Sequence, residues 1–332
     1  MTARKNKVKH PFFEIDSLKT WYPVKRGIFS KTVGFVKAVD DVSFSINQGE
    51  TIGLVGESGC GKTSLGRTIM MLESPYDGDI RFMGQSIFSF QKKNKKKLRQ
   101  KIQMIFQDPQ SSLNPRMNIL DIITEGIKNH GLLKTTPKKA ATQILKEVGL
   151  DSQAMFRYPH EFSGGQRQRI SIARAISMQP ELVICDEAVS ALDVSVQAQI
   201  INLLMDLQER HDFSYIFISH DLSVVNHISN RVAVMYLGKI VEIGPTNKIL
   251  QKPVHPYTKA LIAAIPVPGK NRPEFVFQGS PPSPMNPPTG CRFHPRCPQK
   301  EKICQTSEPA LKQVDGHYIA CHLNKGKKSE LL

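Results

Sequence analysis

One short segment of this chain, GESGCGKT at 56–63, constrains the fold more than any other feature. It matches the pattern G-x-x-x-x-G-K-[ST], and it lies between a predicted strand at 51–55 and a predicted helix at 62–72, the context that a phosphate-binding loop requires. Glycines let such a loop point its N–H groups at phosphates, and the helix adds its positive N-terminal end. We expect Lys62 to reach the β and γ phosphates of ATP and the Thr63 hydroxyl to bind Mg²⁺. The predicted nucleotide-binding residues of the loop are Gly56, Glu57, Ser58, Gly59, Cys60, Gly61, Lys62, Thr63 and Ser64.

Two acidic residues further along the chain support this interpretation. Asp186 and Glu187 follow the apolar run 182–185, which is typical of a fully buried parallel strand. Ligands of α/β folds bind at the carboxyl ends of such strands, so we expect Asp186 to hold the Mg²⁺ shell and Glu187 to polarise the attacking water. In isolation, two acids after a strand indicate a solvated loop. The order of strand, phosphate loop, helix and acidic strand end favours phosphoryl transfer instead.

Charge and hydrophobicity narrow the class of protein. The 332 residues carry a formal net charge of +16, which suggests anionic partners. The densest basic run, at 92–101, has no interleaved aromatic residues to stack bases, so we interpret it as a solvated helical face and expect no nucleic-acid partner. No apolar run approaches the roughly 18 residues of a membrane span. The basic N-terminus runs into Glu14 after a short apolar patch, which does not fit a signal peptide. We therefore expect a cytosolic chain whose membrane role comes through a partner.

Strand and helix patterns alternate along most of the chain, which predicts a largely parallel sheet. The further predicted elements are strands at 42–46 and 215–219, a helix at 196–209 and a hairpin at 231–243. Helical patterns fill about 104–178 and predict a helical subdomain. After about residue 265, prolines and four of the six cysteines accumulate. We divide the chain into a nucleotide-binding domain, 1–265, and a loop-rich tail, 266–332.

A third motif, FSGGQRQR at 162–169, resembles the signature motif of ABC-type ATPases. The resemblance implies a P-loop NTPase fold of the ABC type, in which a RecA-like mixed sheet core carries an antiparallel β subdomain and a helical subdomain. It also implies that a dimer closes each ATP site. The signature helix would then contact the γ-phosphate held by the opposite subunit through Ser163, Gly164, Gly165 and Gln166.

The remaining motifs of that family follow in order. Gln107 matches the Q-loop glutamine, which senses Mg²⁺ and water, and Asp193 matches the D-loop aspartate at the dimer seam. His220 matches the switch histidine that contacts the γ-phosphate. Tyr22 lies where the family stacks an aromatic ring on adenine, and its neighbour Trp21 is a rival for that role.

Four further segments resemble one subfamily of the ABC-type ATPases in particular. The segments that resemble oligopeptide/dipeptide importer ATPases, in particular the second of their two unlike subunits, are MIFQDPQSSLNPRM at 104–117, YPHEFSGGQ at 158–166, ICDEAVSALDVSVQAQ at 184–199 and HPYTKAL at 255–261. One departure is Ala188, which follows Glu187 where the family usually has proline. Alanine restores an N–H group and frees φ, so it affects fine positioning rather than the role of Glu187.

The resemblance also implies partners and a location. The chain would pair with an unlike second ABC ATPase on two transmembrane permease subunits, at the cytoplasmic face of the inner membrane, and an extracytoplasmic peptide-binding protein would act indirectly. ATP hydrolysis would then drive peptide import. One alternative is the same motor moving nickel or a glycoside, because absent subunits choose the cargo. The others are a soluble ABC ATPase that acts on ribosomes or DNA and a metal–sulfur carrier that hydrolyses ATP.

The six cysteines divide into two kinds. We interpret Cys60, at a free loop position, and Cys185, in an apolar strand, as structural. The tail carries the other four, Cys291, Cys297, Cys304 and Cys321, with spacing C-x5-C-x6-C-x16-C. A reducing cytosol disfavours disulfides among them. Long, irregular spacing favours a [4Fe–4S] cluster over the close pairs common at zinc sites, and the resemblance implies such a cluster here. A mixed zinc site with nearby histidines and four unligated thiols are the alternatives; the histidines are His294, His317 and His322.

Overall fold

The computed structural model describes residues 11–27, 30–89, 92–264 and 279–324. The strands are β1 Phe13–Arg26, β2 Lys31–Ile46, β3 Thr51–Val55, β4 Asp77–Phe82, β5 Gln85–Ser86, β6 Ile102–Ile105, β7 Leu182–Asp186, β8 Ser214–Ile218, β9 Arg231–Tyr236, β10 Lys239–Pro245, β11 Lys312–Val314 and β12 His317–Ile319. The helices are α1 Lys62–Ile69, α2 Lys92–Lys101, α3 Pro109–Ser112, α4 Ile119–Asn129, α5 Pro137–Glu147, α6 Gly164–Ile176, α7 Val194–His211, α8 Leu222–Ile228, α9 Thr246–Gln251, α10 Pro256–Ala263 and α11 Ile303–Thr306. None of these helices combines the length and apolarity needed to cross a bilayer.

The central sheet has the order β11-β12-β10-β9-β3-β8-β7-β6 among the described strands. Strands β3, β6, β7, β8 and β9 run in parallel, while β10, β11 and β12 continue the sheet in antiparallel fashion. Every residue of β3, β7 and β8 is buried, as short continuous apolar runs predict. The predicted hairpin at 231–243 is present as β9 and β10. This mixed sheet is the expected core, and its carboxyl edge carries the phosphate loop.

A second, antiparallel sheet has the order β2-β1-β4-β5. It forms the expected β subdomain and packs one apolar face on the central sheet through side chains such as Phe13, Leu18 and Ile80. Strand β2 ends at Ile46, and a turn leads the chain into β3 of the other sheet. The subdomain therefore leads directly to the phosphate loop that follows β3.

The helical layer packs α4, α5 and α6 against one another through buried aliphatic side chains. The sequence predicts helical structure from about 104, but Met104 and Ile105 belong to β6, which pairs in parallel with β7. Three apolar residues and one glutamine after a basic helix are too few to distinguish a strand from the start of a helix by periodicity. The basic run at 92–101 is α2, as expected.

Part of the predicted tail joins the central sheet. Strand β12 pairs with β10, and β11 pairs with β12, so the sheet extends beyond the hairpin. The sequence did not predict these strands because each has only three residues with no clear alternation. The segment 265–278, with Pro266 and Pro268, lies outside the described residues. The domain boundary at 265 remains a prediction.

Candidate active site

The phosphate loop follows β3 and begins α1, as predicted. Its backbone needs glycine at two points of close approach: a Cβ at Gly56 would lie 2.1 Å from the carbonyl oxygen of Met235, and one at Gly61 would lie 1.9 Å from that of Ala38. Both glycines also have positive φ, 156° and 110°, where larger residues are strained. The hairpin β9–β10 and strand β2 therefore enclose the loop tightly.

Lys62 lies folded over the loop and is 5% exposed. Its Nζ donates to the carbonyl oxygens of Gly56 at 2.7 Å and Glu57 at 3.0 Å. A buried ammonium needs such partners. These contacts hold the ammonium at the centre of the nest, where incoming phosphate oxygens would replace the carbonyls.

The loop is joined to the acidic strand end by one hydrogen bond. The Thr63 hydroxyl donates to Oδ1 of Asp186 at 3.0 Å. Asp186 is 3% exposed, and burial raises the pKa of its carboxyl above the ordinary value, against the lowering effect of the Thr63 hydrogen bond. A hydroxyl and a carboxylate in contact are a donor set that suits Mg²⁺.

Two predicted residues, Gln107 and His220, converge on Glu187. Its Oε2 accepts from Nε2 of Gln107 at 3.0 Å and lies 3.6 Å from Nδ1 of His220. The backbone of Glu187 has φ 46°, and its N–H donates to the carbonyl oxygen of Ile218 at 3.0 Å. A non-glycine residue in this region is strained, and such strain is common at catalytic positions. Ala188 is buried beside it.

The signature motif opens α6 as predicted. Ser163 is the N-cap: its Oγ accepts from the N–H of Gln166 at 3.4 Å, and Gln166 Oε1 accepts from the N–H of Ser163 at 3.0 Å. Both side chains are exposed, and these bonds join them to each other rather than to the phosphate loop. A Cβ at Gly164 would make ordinary contact with Leu192 at 3.6 Å, whereas one at Gly165 would lie 2.5 Å from Val196.

Asp193 also lies at an exposed helix start. It caps α7, where its Oδ1 accepts from the N–H of Val196 at 2.9 Å and from the Ser195 hydroxyl at 2.7 Å. These bonds, the Ser195 hydroxyl first, lower the pKa of the Asp193 carboxyl. The adjacent Val194 is 82% exposed. The signature and D-loop motifs thus present polar caps and apolar surface outward.

The aromatic rivals for adenine differ in their contacts. The Trp21 ring stacks on Tyr76 at 4.2 Å, and its Nε1 donates to Oδ1 of Asp40 at 3.1 Å. Lys37 Nζ lies 4.7 Å from the centre of the same ring. Tyr22 follows on β1, and neighbouring side chains of a strand point to opposite faces. Trp21 is thus engaged with Tyr76, Asp40 and Lys37, and adenine stacking by Tyr22 stays a prediction.

Sequence reasoning missed two residues at the phosphate loop. Tyr257, in α10, accepts the N–H of Glu57 at 2.8 Å, and Arg296, in the tail, binds the Glu57 carboxylate. The HPYTKAL segment carries the family resemblance, and its tyrosine is the signal that could have found this contact. Arg296 carried none, because it is 239 residues from Glu57 in sequence.

Burial does not separate the two predicted kinds of cysteine, because Cys304 and Cys321 of the tail are buried as well. Cys60 and Cys185 are buried, and burial raises the pKa of both thiols. In the tail, burial and the neighbouring thiols raise the pKa of Cys291 to about 11. Within the described residues, no three Cys, His, Asp or Glu side chains are arranged as a metal-ligating group. The four tail thiols therefore lie near one another without forming a ligating group.

Known proteins resemble the chain over nearly its whole length. A family model for "ABC transporter" matches residues 39–190, and one for "Oligopeptide/dipeptide transporter, C-terminal region" matches residues 241–304. The oligopeptide transport ATP-binding protein AppF of Bacillus subtilis is 50% identical over 317 residues, 93% of this chain and 96% of that protein. The dipeptide transport ATP-binding protein DppF of Escherichia coli is 46% identical, with 97% of each chain covered.

Solved structures resemble the fold. CbiO1 of Clostridium perfringens, described as part of the ABC transporter complex cbiONQ, is 25% identical, with a TM-score of 0.62 over 73% of this chain and 91% of that one. The ATP-binding cassette MJ0796 in a dimeric post-hydrolysis state is 24% identical, with a TM-score of 0.62 over 70% of this chain and 98% of that one, and supports the fold alone. The chain belongs to the family of ATP-binding proteins of oligopeptide and dipeptide ABC transporters.

Proposed function

We propose that this chain hydrolyses ATP to drive the import of oligopeptides or dipeptides through a partner membrane permease. The observation that carries the proposal is the convergence of Gln107 and His220 on Glu187, next to a phosphate loop bonded to Asp186. That arrangement supplies a base, its two orienting partners and a metal-binding carboxylate at the carboxyl edge of the sheet. The cargo rests on the relatives, whose names specify oligopeptide and dipeptide transport.

Each residue has a defined role in hydrolysis. Lys62 and the N–H groups of the phosphate loop bind the β and γ phosphates and offset their charge. Mg²⁺, when bound, neutralises the developing charge on those phosphates, and Thr63, Asp186 and Gln107 offer it oxygen ligands. Glu187 orients and polarises the attacking water, since a carboxylate at that point accepts its proton. His220, 3.6 Å from Glu187, would contact the γ-phosphate of bound ATP.

The chain acts as one half of a pair. The capped, exposed start of α6 at Ser163 and the exposed Asp193 and Val194 are surfaces that would complete the ATP site of an unlike second ATPase. Two permease subunits would hold this pair peripherally at the cytoplasmic face of the inner membrane, and a peptide-binding protein would deliver cargo from outside. Closure by ATP and reopening by hydrolysis would then switch the permease between its two faces.

Assembly with the permease tests the proposal. We would co-express this chain with the unlike ATPase and the permease subunits of a peptide importer, and measure ATP turnover in the reconstituted complex. Peptide-loaded binding protein should raise turnover, while the isolated chain should be a poor ATPase. Stimulation by nickel or a glycoside instead of peptide would reassign the cargo. Full, cargo-independent turnover of the lone chain would support a soluble ABC ATPase and contradict the transport role.

We also propose that the four tail cysteines bind a [4Fe–4S] cluster. They supply the four thiolates that such a cluster needs, and the N–H of Cys291 donates to the carbonyl oxygen of Cys304 at 2.8 Å, which holds two of their segments side by side. Because the described thiols form no ligating group, cluster binding requires them to draw together. The cluster would fasten the tail to the nucleotide domain and take no part in hydrolysis.

Anaerobic purification tests the cluster. We expect brown protein that contains iron and sulfide and absorbs broadly at about 400 nm. Cys297→Ser should bleach this absorption. Stoichiometric zinc in colourless protein would replace the cluster with a zinc site, and four freely alkylated thiols would leave the tail without a metal.

A further inference from the structure

Glu57, a variable position of the phosphate loop, is fixed from two sides by residues outside the nucleotide-binding motifs. Arg296 donates from Nη1 to Oε2 of Glu57 at 2.8 Å and from Nη2 to Oε1 at 3.0 Å. Tyr257 accepts the N–H of the same residue at 2.8 Å. Two parallel bonds from a guanidinium to a carboxylate are among the strongest and most directional side-chain contacts.

The position of Arg296 is fixed by its surroundings. The side chain is 5% exposed and lies near the ring of Tyr236, whose hydroxyl it contacts at 3.4 Å. Tyr236 in turn packs against Tyr257 at 4.6 Å and Phe293 at 5.3 Å between ring centres. Tightly packed aromatic rings hold the guanidinium in one orientation. These contacts hold the Arg296 guanidinium against the Glu57 carboxylate.

A second arginine fastens the same tail segment nearby. Arg292 binds the carboxylate of Asp40 and the carbonyl oxygen of Leu237. The next residue, Gly238, donates its N–H to the carbonyl oxygen of Cys60 in the phosphate loop at 2.8 Å. The tail therefore contacts the phosphate loop directly through Arg296 and Glu57. It also contacts the hairpin that supports the loop, through Arg292.

Charge gives this contact a consequence for ATP. Glu57 places a carboxylate on a loop whose task is to bind a triphosphate, and its own carbonyl oxygen already accepts from Lys62 at 3.0 Å. An unpaired carboxylate there would repel the phosphates and compete for the lysine. Pairing with Arg296 cancels that charge and holds the loop in its binding conformation before ATP arrives, which reduces the ordering cost of binding.

We propose that Arg296 is a positioning residue for the ATP site, through which the C-terminal tail sets the affinity of the phosphate loop for nucleotide. Arg296 acts through Glu57. The inference rests on ATP binding by this loop and is independent of the cargo.

A charge-neutralisation cycle on the full-length chain tests this. Arg296→Gln should raise the Kd for Mg·ATP, measured by competition with a fluorescent adenine nucleotide, about tenfold, because Glu57 then keeps an unpaired charge. Glu57→Gln in the same chain should recover most of that loss, since it removes the repelling carboxylate. In the assembled complex, KM for ATP should rise in Arg296→Gln while kcat at saturating ATP changes less than about twofold.

The matched control is Glu308→Gln. It removes another ion pair between tail and domain, that of Glu308 with Lys239, and should leave the Kd for Mg·ATP unchanged. Thermal unfolding without nucleotide reports the fold of each variant. Arg296→Lys keeps the charge but loses the paired geometry, so its Kd for Mg·ATP should lie between those of the parent and Arg296→Gln. A folded Arg296→Gln protein with parental Kd, an equal rise in Glu308→Gln, or further loss in the double variant would each overturn the proposal.

Discussion

The side-chain amide of Gln107 donates to Oε2 of Glu187 at a distance of 3.0 Å. This bond joins the segment that leaves β6 for the helical layer to the end of β7, where the proposed catalytic acid lies. A displacement of the helical layer therefore acts on the orientation of Glu187.

Replacing Glu187 with glutamine should separate binding from hydrolysis. Glu187→Gln keeps the size and the bond to Gln107 but removes the base, so ATP should bind normally while turnover in the assembled complex falls several hundred-fold or more, roughly the range of general-base catalysis. Lys62→Ala is the contrasting variant and should abolish binding. Parental turnover in Glu187→Gln would remove this residue from the catalytic role.

The signature helix should act on the partner's ATP site. Gly164→Asp places a carboxylate at the exposed start of α6, where a Cβ meets only ordinary contact, so the chain should fold and bind ATP at its own loop. Hydrolysis at the partner's site should fall strongly, because the carboxylate repels the γ-phosphate. The measurement is turnover of a complex whose own phosphate loop is disabled by Lys62→Ala, leaving one active site. Gly165 is less suitable, since a Cβ there collides with Val196.

Adenine stacking should distinguish Tyr22 from Trp21. Tyr22→Ala should raise KM for ATP about tenfold, since base–aromatic stacking contributes about 1–3 kcal/mol. Trp21→Ala should chiefly lower the free energy of unfolding, because it removes the stack on Tyr76 and the bond to Asp40. A larger rise in KM for Trp21→Ala than for Tyr22→Ala would reverse the assignment.

Acid should lower the free energy of unfolding of the chain through His255. Burial, with a smaller effect of Lys259, lowers the pKa of His255 to about 3, and its Nδ1 accepts the N–H of Tyr257 at 3.1 Å. The unfolded chain takes up a proton below about pH 6.5 while the folded chain does not, so stability is present at neutral pH and falls as pH drops. Between pH 7.5 and 5.5 this group should account for a loss of about 1.4 kcal/mol.

His255→Asn, which keeps an acceptor at the start of α10, provides the comparison. Its free energy of unfolding should be less dependent on pH than that of the parent by the same amount, measured by chemical denaturation at the two pH values. Identical pH dependence of the two chains would show that His255 titrates normally in the folded protein.

Local patterns predicted the site but not everything that supports it. The strands before the phosphate loop and before Asp186 are continuous apolar runs with chemistry at their ends, and both lie where expected. Strand β1 was not predicted, because its sequence mixes charged and apolar residues without clear alternation and contains Pro23. Its pairing with β2 and β4 stabilises it instead.

Contacts between distant segments were beyond the reach of the sequence. Arg296 and Glu57 form a paired contact across 239 residues, and neither side chain carries a motif that names the other. The same holds for Glu242, a fully buried carboxylate that accepts the N–H groups of Val254 and His255 and holds the start of α10. These contacts form only when the chain packs into its tertiary structure, so local sequence patterns do not predict them.

Uptake of a labelled peptide into vesicles measures the central claim most directly. Vesicles would contain the permeases, the unlike ATPase and either the parental chain or its Glu187→Gln variant, with ATP on the side of the ATPases and peptide-loaded binding protein on the other. The account predicts ATP-dependent accumulation with the parental chain and a loss of most of it with Glu187→Gln. Equal accumulation with both chains, or none with the parental chain in a complex that still hydrolyses ATP, would contradict it.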